Sequence, residues 1–160
     1  MQDPERHLQV KLETKLKKMG VWHRFIEKPV STVHTADAAE ASGIPLHQIS
    51  KNLMAKTKEG QYASLIIPGD KRIDYKAAAK ALNSKGLGLV PFDEAHNISG
   101  YPPGGTPSIG YERNLKVVVD EELTKFETFY CGGGSSRLLL EVRKDDVIRV
   151  NRAVIGKITE

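Results

Sequence analysis

The sequence predicts an α+β fold, a mixed and largely antiparallel sheet with helices packed around it, in a single domain over residues 1–160. Three observations carry this. Short apolar runs bounded by turn residues outnumber stretches with helical spacing, so strands outnumber helices. Several connections are short enough for antiparallel pairing, Lys58-Glu59-Gly60 being the clearest. No internal repeat, low-complexity tract or linker divides the 160 residues, a length that closes a sizeable core as one unit.

Taken in order, Asp3-Pro4 reads as a helix start, a capping carboxylate followed by proline at the first helical position. Leu8, Leu12, Leu16 and Met19 then repeat at helical spacing until Gly20 stops the helix. Val21 to Ile26 is a strand ended by Lys28-Pro29. Thr35 is placed to cap a short helix, Ala36 to Ser42, which Gly43 terminates. Pro45 to Ser50 is a helical turn leading into a strand, Lys51 to Lys56. A second strand, Gln61 to Ile67, completes a hairpin.

Asp74 opens the next helix, whose Ala77, Ala78, Ala81 and Leu82 suit close packing on a sheet. Leu87, Leu89 and Val90 form a short strand, and Asp93 is placed to cap one more helical turn. Lys116 to Asp120 is a strand, Glu121 to Lys125 a short helix, and Glu127 to Cys131 a strand. Arg137 to Val142 is a leucine-rich strand and Asp145 to Val150 a helix.

Composition excludes several function classes. No apolar run approaches the roughly 18 residues that a membrane span needs, and the polar start Met1 to His7 lacks the apolar stretch of a signal peptide. One cysteine, Cys131, forms no internal disulfide, which points to a reducing compartment, the cytoplasm. The net charge of +4 is compatible with a polyanionic partner and equally with small-metabolite chemistry. His7, His23, His34, His47 and His96 are scattered without metal-ligand spacing, so no metal is expected. Neither a Gly-x-Ser-x-Gly elbow nor a phosphate loop is present. Cys131 has no activating base nearby in sequence and reads as a small buried hydrophobe. Gly69-Asp70-Lys71-Arg72 is a turn with a basic tip.

The chemistry-bearing candidates are three. Gly100 to Gly110 holds four glycines and three prolines in eleven residues, a loop that is shaped rather than floppy. Such a loop either joins two elements tightly or offers unshielded main-chain N–H groups at Gly104-Gly105 to an oxygen-rich ligand. A second run follows at Gly132-Gly133-Gly134. Lys51 opens a strand directly after a helical turn. There it is either a solvent-facing lysine or a point charge for a phosphate or carboxylate.

In this order, Ser50-Lys51-Asn52-Leu53, Pro68-Gly69, Ile73 to Leu82, Ser99 through Gly105 to Gly110, Val118-Val119-Asp120 and Gly132-Gly133-Gly134 resemble the YbaK/ProX family. Those proteins are free-standing aminoacyl-tRNA deacylases related to the editing domain inserted in bacterial-type prolyl-tRNA synthetases. The similarity runs from about Thr35 to Val150. It implies hydrolysis, without a cofactor, of the ester joining a wrong, small amino acid to the 3′-terminal adenosine of a tRNA such as tRNAPro. The aminoacyl-tRNA acceptor end is the implied partner, and an aminoacyl-tRNA synthetase is a second candidate. The resemblance places Lys51, Gly104 and Gly105 at the scissile ester. It makes Thr106, Pro107, Ser108, Gly132, Gly133 and Gly134 the substrate-binding set. The family loop usually reads Gly-Gly-x-x-Pro-x-Gly, whereas this chain has Ser108 at the fifth position and its proline one earlier, at Pro107. A module of the same fold that binds tRNA ends or a nucleotide without turnover is the alternative.

Overall fold

Helix α1 (Arg6–Lys18) forms where leucines take up helical spacing, with Leu12 and Leu16 fully buried and Lys11, Lys17 and Lys18 in water. The structure is a computed structural model that describes residues 3–160, so Met1 and Gln2 of the polar start lie outside it. The helix starts later than expected, and Asp3 lies two residues before its N-cap. Its Oδ1 accepts from the Glu5 N–H at 2.9 Å, and Glu5 rather than Asp3 holds the N-cap position. Gly20, at φ +67°, ends the helix region as expected.

The chain continues through β1 (His23–Glu27), α2 (Thr35–Ser42), β2 (Ser50–Thr57), β3 (Tyr62–Pro68) and α3 (Tyr75–Ala81). Then follow β4 (Leu87–Leu89), α4 (Phe92–Ser99), β5 (Lys116–Asp120), β6 (Thr128–Gly132), β7 (Leu138–Arg143), α5 (Lys144–Asn151) and β8 (Val154–Gly156). Short 3₁₀ segments cover Leu46–Gln48 and Glu121–Lys125. Asp74 caps α3 as read, accepting from the Ala77 N–H at 3.1 Å. Two other caps differ from expectation. Thr35 is the first helical residue of α2, behind His34, and Asp93 lies in the first turn of α4, behind Pro91. There Asp93 favours the positive end of the helix dipole instead of capping.

The expected mixed, largely antiparallel arrangement is present, with four antiparallel strand pairs and two parallel ones, divided between two sheets. The smaller sheet has the order β1-β7-β6. The larger has the order β4-β2-β3-β5-β8, and its β3-β5 and β5-β8 pairs are parallel. A single parallel bridge between Ile49 and Tyr130 ties the two sheets together immediately before β2 begins.

Alternation explains the apolar runs. Val117 and Val119 of β5 and Ile66 of β3 face the main core with α1 and with Phe129, Leu140 and Val142 of the smaller sheet. Val118, Leu65 and Ile67 point to the opposite face, where Ala78 of α3 and Ile158 cover them. The larger sheet is thus buried on both sides at its centre, which is why β3 and β5 read as continuous apolar stretches. Leu139 of β7 closes a third cluster with Ala38 of α2 and Ile49.

Candidate functional site

At the junction of the two sheets a cavity of about 650 Å³ opens over the first residues of β2. Its walls are the segment before α2, one side of α4, the glycine-proline loop and the end of β6. Of the nine residues singled out from the sequence, Lys51, Gly104, Thr106 and Gly132 line this space together. Gly105, Pro107, Ser108, Gly133 and Gly134 are buried behind it and do not border it.

The two glycine runs are zipped to one another. The Gly132 N–H donates to Thr106 O at 3.0 Å and the Gly134 N–H to Gly105 O at 2.8 Å. No side chain fits between them: a Cβ on Gly132 would lie 2.4 Å from the Gly105 carbonyl carbon and 2.5 Å from Thr106 N. Gly104 is required on two counts, a left-handed φ of +80° and a Cβ position 2.0 Å from Thr32 O. The amide inventory follows. The Gly105 N–H is committed to Pro102 O at 2.9 Å and the Gly133 N–H to Leu138 O at 3.1 Å. The Gly104 and Thr106 N–H groups have no protein acceptor among the described residues. The amides free for a ligand are therefore those of Gly104 and Thr106, not an adjacent Gly104-Gly105 pair.

Behind the loop lies a polar network that sequence reasoning missed. The Asn52 Nδ2 donates to Thr106 O at 3.2 Å, and its Oδ1 accepts from the Ser108 hydroxyl at 2.5 Å. Ser108 Oγ also lies 3.1 Å from Ser50 Oγ, and Asn151 Nδ2 donates to Ser108 O at 2.8 Å. Ser108 thus turns away from the cavity and ties the loop to β2 and α5, a role that a proline ring at that position does not offer. The available signal was Asn52 itself, a residue type depleted from strands and set inside a strand pattern.

Tyr101 closes the loop's ends. Its hydroxyl donates to Gly110 O at 2.7 Å, and burial pushes its pKa up, which keeps the phenol protonated as a donor. Burial likewise pushes the Cys131 thiol up to about 12, and the thiol donates to Leu140 O at 3.6 Å, as suits an inert core residue.

The cavity is cationic. Lys51 is half-buried and its Nζ donates to Lys71 O at 3.2 Å. It has no carboxylate partner among the described residues. His34 and His96 stand at the rim, and among the described residues no carboxylate lines the space. Among the described residues no group of three or more His, Cys, Asp or Glu is placed to hold a metal ion, and no helix is long and apolar enough to cross a membrane. The lining thus brings together one ammonium and two residues whose amides have no protein acceptor, on a backbone fixed from behind.

Residues 27–150 match the family profile described as the aminoacyl-tRNA editing domain. The chain is 23% identical over 121 residues to EbsC of Enterococcus faecalis, a candidate Cys-tRNA(Pro)/Cys-tRNA(Cys) deacylase, covering 76% of this chain and 74% of that protein. It is 28% identical over 97 residues to the proline–tRNA ligase of Fervidobacterium nodosum, covering 61% of this chain and 17% of the ligase. Among solved structures, the hypothetical protein APE2540 superposes with a TM-score of 0.86 at 29% identity, over 94% of this chain and 99% of that one. A candidate trans-editing enzyme for prolyl-tRNA synthetase superposes with a TM-score of 0.81 at 25% identity, over 100% and 99%.

Proposed function

The chain belongs to the aminoacyl-tRNA editing domain family, and on that premise we propose that it is a trans-editing hydrolase. It cleaves the ester between a mismatched small amino acid and the 3′-terminal adenosine of a tRNA, and residues 1–160 act as one editing domain. The observation that carries this reading is a cavity lined, among the described residues, by no carboxylate but by Lys51 together with Gly104 and Thr106, whose amides have no protein acceptor. A terminal nucleotide brings phosphate and ribose oxygens, which a lysine ammonium binds as a point charge. The ester brings a carbonyl oxygen that becomes an oxyanion when water adds to the acyl carbon. Donors already aimed at that oxygen lower the barrier without reorganising. Collapse of the adduct breaks the bond to the ribose oxygen, which takes up a proton from the water, and the free amino acid and tRNA leave.

Selection is by size, since a pocket of fixed walls admits small side chains and excludes larger ones. Alanyl, seryl and cysteinyl esters are the expected substrates, on tRNAPro first, because proline–tRNA ligases are among the relatives. An aminoacyl-tRNA synthetase is a second partner, and the cytoplasm is the place of action. The test is a panel of mischarged tRNAs, beginning with alanyl-, cysteinyl- and seryl-tRNAPro, followed by loss of labelled amino acid. Acceleration over spontaneous ester loss is the expected result, and no acceleration for any member refutes the reading. Salt-sensitive tRNA binding without deacylation would favour the non-catalytic binding module instead.

A further inference from the structure

The segment between β1 and α2 carries a charged group that the reaction above does not use. Lys28 is only 3% exposed, and its Nζ donates to Thr32 Oγ1, its one side-chain acceptor among the described residues. An ammonium is a donor only. Thr32 Oγ1 therefore receives a hydrogen from Lys28, and its own hydroxyl hydrogen must point elsewhere. No protein acceptor meets that hydrogen among the described residues, and Thr32 lines the cavity. Its placement is fixed from three directions. The Lys28 N–H donates to Arg137 O at 2.8 Å and the Thr32 N–H to Ser136 O at 3.0 Å. The Thr32 carbonyl occupies the space that a Cβ on Gly104 would take. Thr32 and Gly104 accordingly stand side by side in the same wall of the cavity.

We infer that Thr32 is a third hydrogen-bond donor of the site, directed at the ester carbonyl oxygen of the aminoacyl group, and that Lys28 is the positioning residue that sets its direction. This rests on the reading that the cavity receives an aminoacyl-adenosine end. Titration of Lys28 gives the inference a signature. Burial pushes its pKa down to about 8, against the attraction of Glu5. Glu5 is held nearby by the Ser136 N–H and hydroxyl, each at 2.8 Å, and Asp3 is hydrogen-bonded to Ser135 on the same turn, with Arg137 beyond. His34 stands on the cavity side. Below about pH 8 the ammonium can only donate. Above that pH the neutral amine has a lone pair that accepts the Thr32 hydrogen and turns the donor out of the cavity.

The experiment compares the wild-type protein with Thr32→Val, Thr32→Ser and Lys28→Met in two measurements across pH. One is deacylation of the best mischarged tRNA, corrected for spontaneous loss. The other is binding of a non-hydrolysable 3′-amide analogue, alanyl-3′-amino-3′-deoxyadenosine. Thr32→Val is expected to lower kcat roughly 10- to 100-fold, the loss of one oxyanion donor, and to weaken binding of the analogue, because the donor already meets the carbonyl oxygen in the bound ground state. Thr32→Ser should retain most of the wild-type rate. Lys28→Met should match Thr32→Val and lack the decline expected of the wild type above about pH 8. A wild-type kcat in Thr32→Val, or a Thr32→Ser variant as impaired as Thr32→Val, overturns the inference. If wild type turns over no substrate, the functional reading fails by itself. The analogue then decides the donor role, since unchanged binding in Thr32→Val overturns it and weakened binding upholds it. A wild type that also fails to bind the analogue overturns both.

Discussion

Replacing Lys28 by methionine sets stability against activity, with a sign that can be worked out. The folded-state pKa of about 8 lies below the ordinary 10.5, so between those values the unfolded chain binds more protons than the folded one. Stability therefore rises with pH across that window and is flat below about pH 8, where both states are protonated. A pKa gap of about 2.5, at about 1.36 kcal/mol each, places the cost of holding this charge in the folded protein near 3 kcal/mol at pH 7. Methionine keeps an unbranched stem of similar length and removes the ammonium. It also removes the hydrogen bond to Thr32, about 1 kcal/mol. Lys28→Met is then expected to be more stable than wild type by about 2 kcal/mol at pH 7, with the advantage gone near about pH 10. Urea midpoints at both pH values, at constant slope, measure this. A variant that is less stable than wild type at pH 7, or one with the wild type's pH dependence, refutes the reasoning. The expected fall in deacylation alongside the gain in stability would mark Lys28 as a charge retained for the site.

Three further outcomes follow from the same geometry. Lys51→Ala should lower deacylation strongly while changing the unfolding free energy from urea titration by no more than about 0.5 kcal/mol, because its side-chain hydrogen bond is to an exposed turn; loss of folding would make Lys51 structural instead. Gly132→Ala forces backbone apart at 2.4 Å and should cost about 1–3 kcal/mol in thermal unfolding together with most activity, whereas a silent substitution would contradict the zipped loops. Exchanging Pro107 and Ser108 (Pro107→Ser with Ser108→Pro) removes the hydroxyl that holds Asn52, so relative rates among alanyl, seryl and cysteinyl esters should change and stability should fall by about 1–2 kcal/mol; unchanged rates would place selectivity elsewhere.

What the sequence makes legible is whatever local chemistry decides. Strand β5 and the 3₁₀ segment after it were readable to the residue, since Val117 to Val119 is a compact apolar run and Asp120 accepts from the Glu122 N–H at 3.2 Å to start the next turn. Asp74 was readable as a cap for the same reason. Strand β8 was not, because Val154 and Ile155 are exposed and gain strand geometry only by pairing with distant Val118 and Val119. The division into two sheets was also hidden, since it rests on pairings between strands far apart in sequence, such as β1 with β7 and β3 with β5. At the site, Lys51 and both glycine runs were visible by type and order. Lys28 read as a strand end, because only the long-range bond from its N–H to Arg137 O and the cover over its side chain make it buried.

The glycines bear on how a site made of backbone can discriminate. Their first role here is contact: Gly104 admits the Thr32 carbonyl, and Gly105 and Gly132 admit one another's main chains. That contact consumes the Gly132 and Gly134 amides, the turn back to Pro102 consumes that of Gly105, and those of Gly104 and Thr106 are left, one on each side of a residue that is locked. The two free donors are held by three segments far apart in sequence, at Thr32, at Gly104 to Thr106 and at Gly132 to Gly134, with Asn52 and Ser108 bracing Thr106 from behind. Their directions therefore do not adjust to the ligand. A rotatable side chain could follow a larger acyl group, but this backbone cannot. On the proposed editing function, a ligand whose side chain displaces its carbonyl from the two amides loses their stabilisation, so the zipped loops would supply the donors and set the upper limit on substrate size together.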